Sequence, residues 1–333
     1  MGEESSHFRI LCLDGGGVRG LLSALILSNI EEHLNNIDGS SIPLGKRFDF
    51  ISGTSTGGLI SLALATGRTA KEIVNFYETW IPLIFSKQKR RGYFRSAFTS
   101  KYSSSVLKNA LDDFFEDSTL KDVTTDVCIP SVALDSGKPK LYKSGYLNCN
   151  QGRLDEKLVD IALSTSAAPS FFPAHSSKYS SNLIDGGICA NNPTMVALTD
   201  ACQFERPSLR GNFPPNSIIG ISQDKIRLLS IGTGVQCAMP YNYTALRSIV
   251  PKGLAESGWL FWGSVFPFMQ ISMESQSILV HHQAKFILGN SYYRIDPQLN
   301  FPIALDDASQ ITKLYNLADL DMAAEIFVND SFR

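Results

Sequence analysis

The chain has 333 residues, 44% of them hydrophobic, and a formal net charge of −2. That is enough apolar material for a sizeable core in one large domain or two small ones. It excludes the basic surface of a non-specific nucleic-acid binder, so neither DNA nor RNA is an expected partner.

Phe8 to Leu13 reads as a buried strand that runs straight into the glycine loop "DGGGVRG" (14–20). Val18, Leu21, Leu22, Leu25, Ile26 and Ile30 then recur at helical spacing, so a helix opens on that loop. Phe48 to Ile51 is a second short apolar run. It ends in "SGTSTGG", after which Leu59, Ile60, Leu62, Ala63 and Leu64 predict a buried helix. Further helices are expected over 70–85, 103–115 and 155–165. Strands are expected at Val127–Leu134, Leu141–Lys143, Asn182–Ile184, Ile226–Ile231 and Tyr292–Ile295. The last 28 residues read as two helices. Strands alternating with helices predict an α/β fold, a parallel or mixed sheet covered on both faces. The turn-rich "RPSLRGNFPPNS" (206–217) reads as a surface loop rather than a domain boundary.

Gly15, Gly17 and Gly20 satisfy the dinucleotide-binding pattern G-x-G-x-x-G. The acidic residue that the pattern wants about 20 positions on is not convincing, because Asp38 lies in the turn-like "NNIDGSS". Asp14 would also face the pyrophosphate, and no Gly-Lys-Ser/Thr follows. The second motif gives the loop another use. Gly53-Thr54-Ser55-Thr56-Gly57 is G-x-S-x-G between a strand and a helix, the setting of a nucleophile elbow. Small residues flank the serine because a sharp strand-to-helix turn crowds the backbone on both sides of it. An acyl-transfer serine needs backbone N–H donors aimed at its tetrahedral oxyanion, and successive glycines supply them without obstruction. In a parallel sheet the loop and Ser55 emerge at the same carboxyl edge. The loop is therefore read as an oxyanion site. A nucleotide-binding signalling module remains the alternative from another class.

Two readings of the general base stand. The usual order for G-x-S-x-G is Ser, then Asp or Glu, then His, and His281 or His282 would complete it. His7, His33 and His175 complete the set of five histidines. Against a histidine stands Asp185 in "LIDGGICANNP", a carboxylate presented at the end of an apolar strand with Gly186 and Gly187 behind it. A desolvated carboxylate is basic enough to take the serine proton directly.

Taken together, Asp14–Gly20, Gly53–Gly57 and Asp185–Gly187 resemble, in order and spacing, the three signatures of patatin-like phospholipases. "TSAAPSFFP" (165–173) and "NNP" (191–193) are similar to that family as well, and the likeness covers about residues 8 to 300. The resemblance implies a three-layer patatin-like domain over residues 1–333, with its core at about 8–300 and C-terminal helices in 301–333. It implies a Ser55–Asp185 dyad without catalytic histidine. The oxyanion hole would be Gly15, Gly16 and Gly17, with Arg19 fixing the loop. Asp14, Gly20, Gly53, Gly57, Gly186 and Gly187 are the supporting motif residues. The implied reaction is phospholipase A-type cleavage of glycerophospholipid acyl esters through an acyl-serine, with no cofactor, metal or calcium. No D-x-D-x-D-G loop is present in the sequence.

The resemblance is closest to the compact, cytoplasmic bacterial branch. Some members of that branch are anti-phage effectors switched on by a cyclic dinucleotide, which makes such an activator and a homo-oligomer possible partners. The N-terminal "MGEESSHFRI" lacks an apolar signal segment, and its myristoylation pattern (Gly2, Ser6) is weakened by Glu3. The longest apolar stretch, 259–271, is broken by Gly263 and Pro267, and a bilayer span needs roughly 20 apolar residues. A cytoplasmic protein, peripheral to the membrane when active, is expected. Cys12, Cys128, Cys149, Cys189, Cys202 and Cys237 form no C-x-x-C and read as free thiols. "GWLFWGSVFPFM" (258–269) is either a lipid-facing flap or a core or dimer contact. "KQKRRGYFR" (87–95) is either a contact for anionic headgroups or phosphates, or a solvated loop.

Overall fold

The computed structural model describes residues 7–86, 100–144, 153–202, 225–236, 265–301, 303–318 and 322–332. Segments 1–6, 87–95, 206–217 and 258–264 lie outside these residues, as do Cys149 and Cys237.

The strands are β1 (Phe8–Leu13), β2 (Phe50–Gly53), β3 (Asp126–Ala133), β4 (Lys138–Lys143), β5 (Leu183–Asp185), β6 (Ile226–Ile231), β7 (Val235–Gln236), β8 (Tyr292–Ile295) and β9 (Gln298–Leu299). The main sheet runs β4-β3-β2-β1-β6-β8, with β5 also paired to β3. β1, β2, β3, β6 and β8 are mutually parallel neighbours, whereas β4 and β5 run antiparallel to β3. β7 and β9 form a separate small ladder. β4 begins at Lys138, three residues earlier than the apolar Leu141 suggests, because an edge strand tolerates Pro139 and the exposed Lys138.

Helices α1 (Gly20–Asp38), α2 (Thr56–Ala65), α3 (Ala70–Ile84), α4 (Ser105–Phe115) and α5 (Leu158–Thr165) follow in chain order. Then come α6 (Gly187–Ala190), α7 (Thr194–Ala201), α8 (Val265–Leu288) and α9 (Met322–Phe332). A tight 3-10 helix covers Ala308–Leu317, so the C-terminal segment holds two helices, only the second of which is α. α3 starts on a capping box: Thr69 Oγ1 accepts from Glu72 N–H at 3.2 Å, and Glu72 Oε2 accepts from Thr69 N–H at 2.8 Å.

Side-chain alternation along β1 divides the core in two. Leu11 and Leu13 enter a cluster built with α1, α2, α3, α4, α5 and, from the C-terminal end, Leu314 and Phe327. Phe8, Ile10 and Cys12 enter a second cluster with α7 and the C-terminal half of α8. Helices therefore cover both faces, which is the expected three-layer α/β architecture. The described cysteines, Cys12, Cys128, Cys189 and Cys202, are free thiols. Among the described residues no helix is long and apolar enough to cross a membrane.

The topology brings two strand ends together. A strand has two hydrogen-bonding edges. β4 occupies one edge of β3 from Cys128 to Ala133. On the other edge β2 pairs with Asp126–Cys128, and β5 pairs with Ser131–Ala133. β5 therefore continues the line of β2 from the opposite direction, and the carboxyl ends of the two strands face each other.

Candidate active site

Ser55 stands just past the end of β2, and Asp185 is the last residue of β5. Their head-on approach puts Ser55 Oγ 2.7 Å from Asp185 Oδ2, with the hydroxyl donating. Both are buried, at 8% and 3% exposure. Ser55 has φ 54 and ψ −122, a conformation that costs a side-chain-bearing residue about 1–3 kcal/mol and survives only when its surroundings impose it. The surroundings do so here. Ser55 N–H donates to Thr165 Oγ1 at 2.9 Å, and Thr165 Oγ1 donates to Pro130 O at 2.7 Å. Thr54 Oγ1 donates to Ala190 O at 2.6 Å. Gly57 is required by close approach, since a Cβ there would lie 2.3 Å from Leu13 O. Gly53 is packed as closely against the Gly57 carbonyl, and Gly20 against Thr56.

Asp185 is held from behind. Its Oδ1 accepts from Gly187 N–H at 2.7 Å, while its own N–H donates to Ala167 O and Gly186 N–H donates to Thr165 O. Burial pushes the carboxyl up to about 6, against the pull of the Gly187 and Ser55 hydrogen bonds. Desolvation makes it a stronger base than a surface aspartate, yet one still ionised at neutral pH.

The glycine loop lies over this pair. A Cβ on Gly15 would stand 3.3 Å from Ser55 Cβ. Gly17 sits at φ +58, where a Cβ would also meet Leu305 O at 2.2 Å. The three glycines expected to form the oxyanion hole differ in their hydrogen bonding. Gly15 N–H is already committed to Asn191 O at 3.0 Å. Gly16 and Gly17 line the cleft above Ser55, and among the described residues no protein acceptor takes their N–H groups. Gly15 is thus an anchor of the loop, tied to the "NNP" segment.

Arg19, expected to fix the loop, donates from Nη1 to Gly234 O at 3.2 Å. A larger clamp was not visible in the motifs. Asp14 makes a two-pronged ion pair with Arg294 of β8, at 2.9 Å and 2.6 Å. Arg294 also donates to Asp296 Oδ2 at 2.6 Å and Ser230 Oγ at 2.7 Å, and Asp296 Oδ1 accepts from Gly234 N–H at 2.9 Å. Burial works against the guanidinium charge, but the two carboxylates more than offset it and raise the Arg294 pKa well above its ordinary value.

The dyad opens into an apolar cleft. α3 contributes Phe76, Tyr77, Trp80 and Ile81 to its wall, and α8 contributes Met269 and Met273. The sequence did not announce α8. Its first turns lie in the stretch read as flap or core contact, and it docks on the "NNP" segment. Gln276 accepts from Asn192 N–H, and Asn191 Nδ2 donates to Ser277 Oγ. No imidazole lines the cleft among the described residues. His175 Nε2 pairs with Asp160, and His281 Nδ1 with Tyr292 OH. Asp38, the weak candidate for a nucleotide ribose, ends α1 and binds Arg47 and Ser40.

Residues 11–198 match the family described as Patatin-like phospholipase. The chain is 32% identical to Patatin-like protein 1 of Arabidopsis thaliana, covering 92% of this chain and 79% of that protein. It is 33% identical to Patatin-like protein 4 of the same plant, covering 93% and 81%. It is 32% identical to the cGAMP-activated phospholipase of Vibrio cholerae, covering 94% and 89%. These two plant proteins and this bacterial one are alike in their identity to the chain. The chain belongs to the patatin-like phospholipase family.

Proposed function

We propose that this protein is a calcium-independent lipid acyl hydrolase of the phospholipase A type, acting through Ser55 and Asp185. The observation that carries the reading is the 2.7 Å hydrogen bond from Ser55 Oγ to Asp185 Oδ2 at the floor of an apolar cleft. Asp185 takes the hydroxyl proton as Ser55 Oγ attacks the ester carbonyl. The tetrahedral oxyanion accepts from Gly16 and Gly17 N–H, which stand at the helix-opening end of the loop. Protonated Asp185 then gives its proton to the departing lysolipid alcohol, leaving an acyl-serine. Asp185 next deprotonates a water that attacks this ester, the same donors stabilise the second intermediate, and the proton returns to Ser55 as the fatty acid leaves.

The Vibrio relative's name supports a finer proposal, that a cyclic dinucleotide raises the activity. The test is fatty-acid release from phosphatidylcholine and phosphatidylglycerol vesicles in EDTA, with and without cyclic GMP-AMP. Release that depends on Ser55 is expected. Release by Ser55→Ala at the wild-type rate, or release only with added calcium, would overturn the reading.

A further inference from the structure

The cleft has a neighbouring groove. Tyr77 marks its catalytic end on α3, because the Tyr77 hydroxyl donates to Thr56 O at 3.0 Å, next to the nucleophile. Trp80 and Ile84 lie roughly 4 to 10 Å further along the axis at about 1.5 Å per residue. A second, more open groove lies outside the seam between α3 and α4, bounded by Leu83, Val106, Asn109, Asp112 and Asp113. Among the described residues, Trp80 is the one side chain that lines both. On the catalytic side the seam is closed by Phe76 against Phe114, with ring centroids 4.6 Å apart. At the far side Phe85 packs on Tyr102 and Phe172. At the level of Trp80, the half-buried indole packs on the core and borders both the cleft and the outer groove.

We propose that Trp80 is the specificity-determining residue that sets the upper length of the acyl chain, by walling the cleft off from the α3–α4 groove. This rests on the acyl-hydrolase reading. The groove behind the indole has an apolar side, Leu83 and Val106, and an acidic side, Asp112 and Asp113. Asp112 is paired with Lys108 at 2.6 Å and Asp113 adds a further carboxylate, so no net positive charge is there to hold a lipid phosphate, and the apolar side suits an extended methylene chain once the indole is gone. Each methylene a cleft can bury raises kcat/KM by up to about fourfold, and the gain stops where the chain meets a wall.

The experiment measures kcat/KM on p-nitrophenyl esters from butyrate to stearate, with the ratio of long to short ester as the readout, so that any uniform loss cancels. In the wild type the ratio climbs and then levels at a cut-off length. Trp80→Ala moves the cut-off up by several methylenes and raises the stearate-to-butyrate ratio at least about tenfold. Trp80→Phe, which retains an aromatic ring in the core, moves it by a smaller step and carries the test if the alanine variant does not fold. Leu83→Trp, at a position 44% exposed on the outer side, leaves the wild-type ratio as it is. Added to Trp80→Ala, it returns the cut-off toward the wild-type length. Parallel profiles for wild type, Trp80→Phe and Trp80→Ala would overturn the assignment. Absence of Ser55-dependent butyrate hydrolysis would instead overturn the acyl-hydrolase reading.

Discussion

Asp14 and Arg294, 280 positions apart in the chain, meet in a two-pronged, largely buried ion pair at the start of the glycine loop. The pair welds the start of the loop, at the end of β1, to β8 across the intervening β6. The loop's amides can only stabilise an oxyanion if they are held in place before the charge develops, because reorientation during the reaction would forfeit the gain. The ion pair supplies that rigidity at the loop's start, while Asn191 O and Leu305 O hold Gly15 and Val18.

Arg294→Met should therefore lower both stability and turnover. It leaves the buried Asp14 carboxylate without its charged partner and takes one of two partners from the half-buried Asp296, a loss of about 3–5 kcal/mol. Arg294→Lys keeps the charge but not the fork that spans Asp14 and Asp296, so it should fold better than the methionine variant. With a soluble short ester, the lysine variant should show reduced kcat with KM little changed. Urea unfolding and steady-state kinetics on both variants check this. Wild-type kcat in Arg294→Met would show that the loop does not depend on the clamp.

The parts of this site that sequence made legible are those where backbone geometry dictates residue type locally. The elbow around Ser55 and the turn at Asp185 each need glycine within two positions of the reacting group, and each follows an apolar strand. Arg294 and Asp296 carry no such mark, because "YYRIDP" reads as an ordinary half-buried strand. The three glycines looked interchangeable, and only the crossing of the Asn191 carbonyl distinguishes Gly15. α8 was hidden for a different reason. Its buried Met273, Val280, Ala284 and Leu288 are matched by exposed Ile278, Leu279 and Phe286, so apolar residues fall on both sides and blur the helical period.

Gly17→Ala should depress kcat by about 10²–10³ while affecting KM much less. The residue sits at positive φ, and an added Cβ would strike Leu305 O, so the amide must turn away from the oxyanion position. A variant with normal kcat and only a raised KM would mean that the loop binds the ground state. Recovery of activity on adding a linear dinucleotide such as NAD, and not a cyclic one, would favour the dinucleotide reading.

His175→Ala and His281→Ala should each retain hydrolysis within a few-fold of wild type. One imidazole faces Asp160 and the other Tyr292, and neither lines the cleft. A loss of about 10³ or more from either would restore the triad assignment.

The pH dependence follows from Asp185, whose burial pushes its pKa up to about 6. A general base acts only when ionised, so kcat/KM should be flat near neutrality. It should fall about tenfold per pH unit below the pKa, with the inflection reporting the free enzyme. A profile flat from about pH 4 to 8 on a soluble ester would remove Asp185 from the role of base.

The same pKa makes Asp185 a burden on the fold. Its ordinary value is 3.8, so between that and about 6 the native state binds a proton that the unfolded state does not. Stability therefore falls as pH rises through this window, and above it the buried charge costs about 3 kcal/mol relative to its protonated form. Asp185→Asn removes the charge and keeps an oxygen to accept from Gly187 N–H. It should abolish hydrolysis and yet raise Tm at pH 8, with the advantage shrinking as pH drops below about 6. Thermal unfolding of both proteins across that range is the check. A variant less stable than wild type at pH 8 would mean that the carboxylate's hydrogen bonds outweigh its desolvation. The carboxylate would then be a structural support, and the strain expected of a base held ready for proton transfer would be absent.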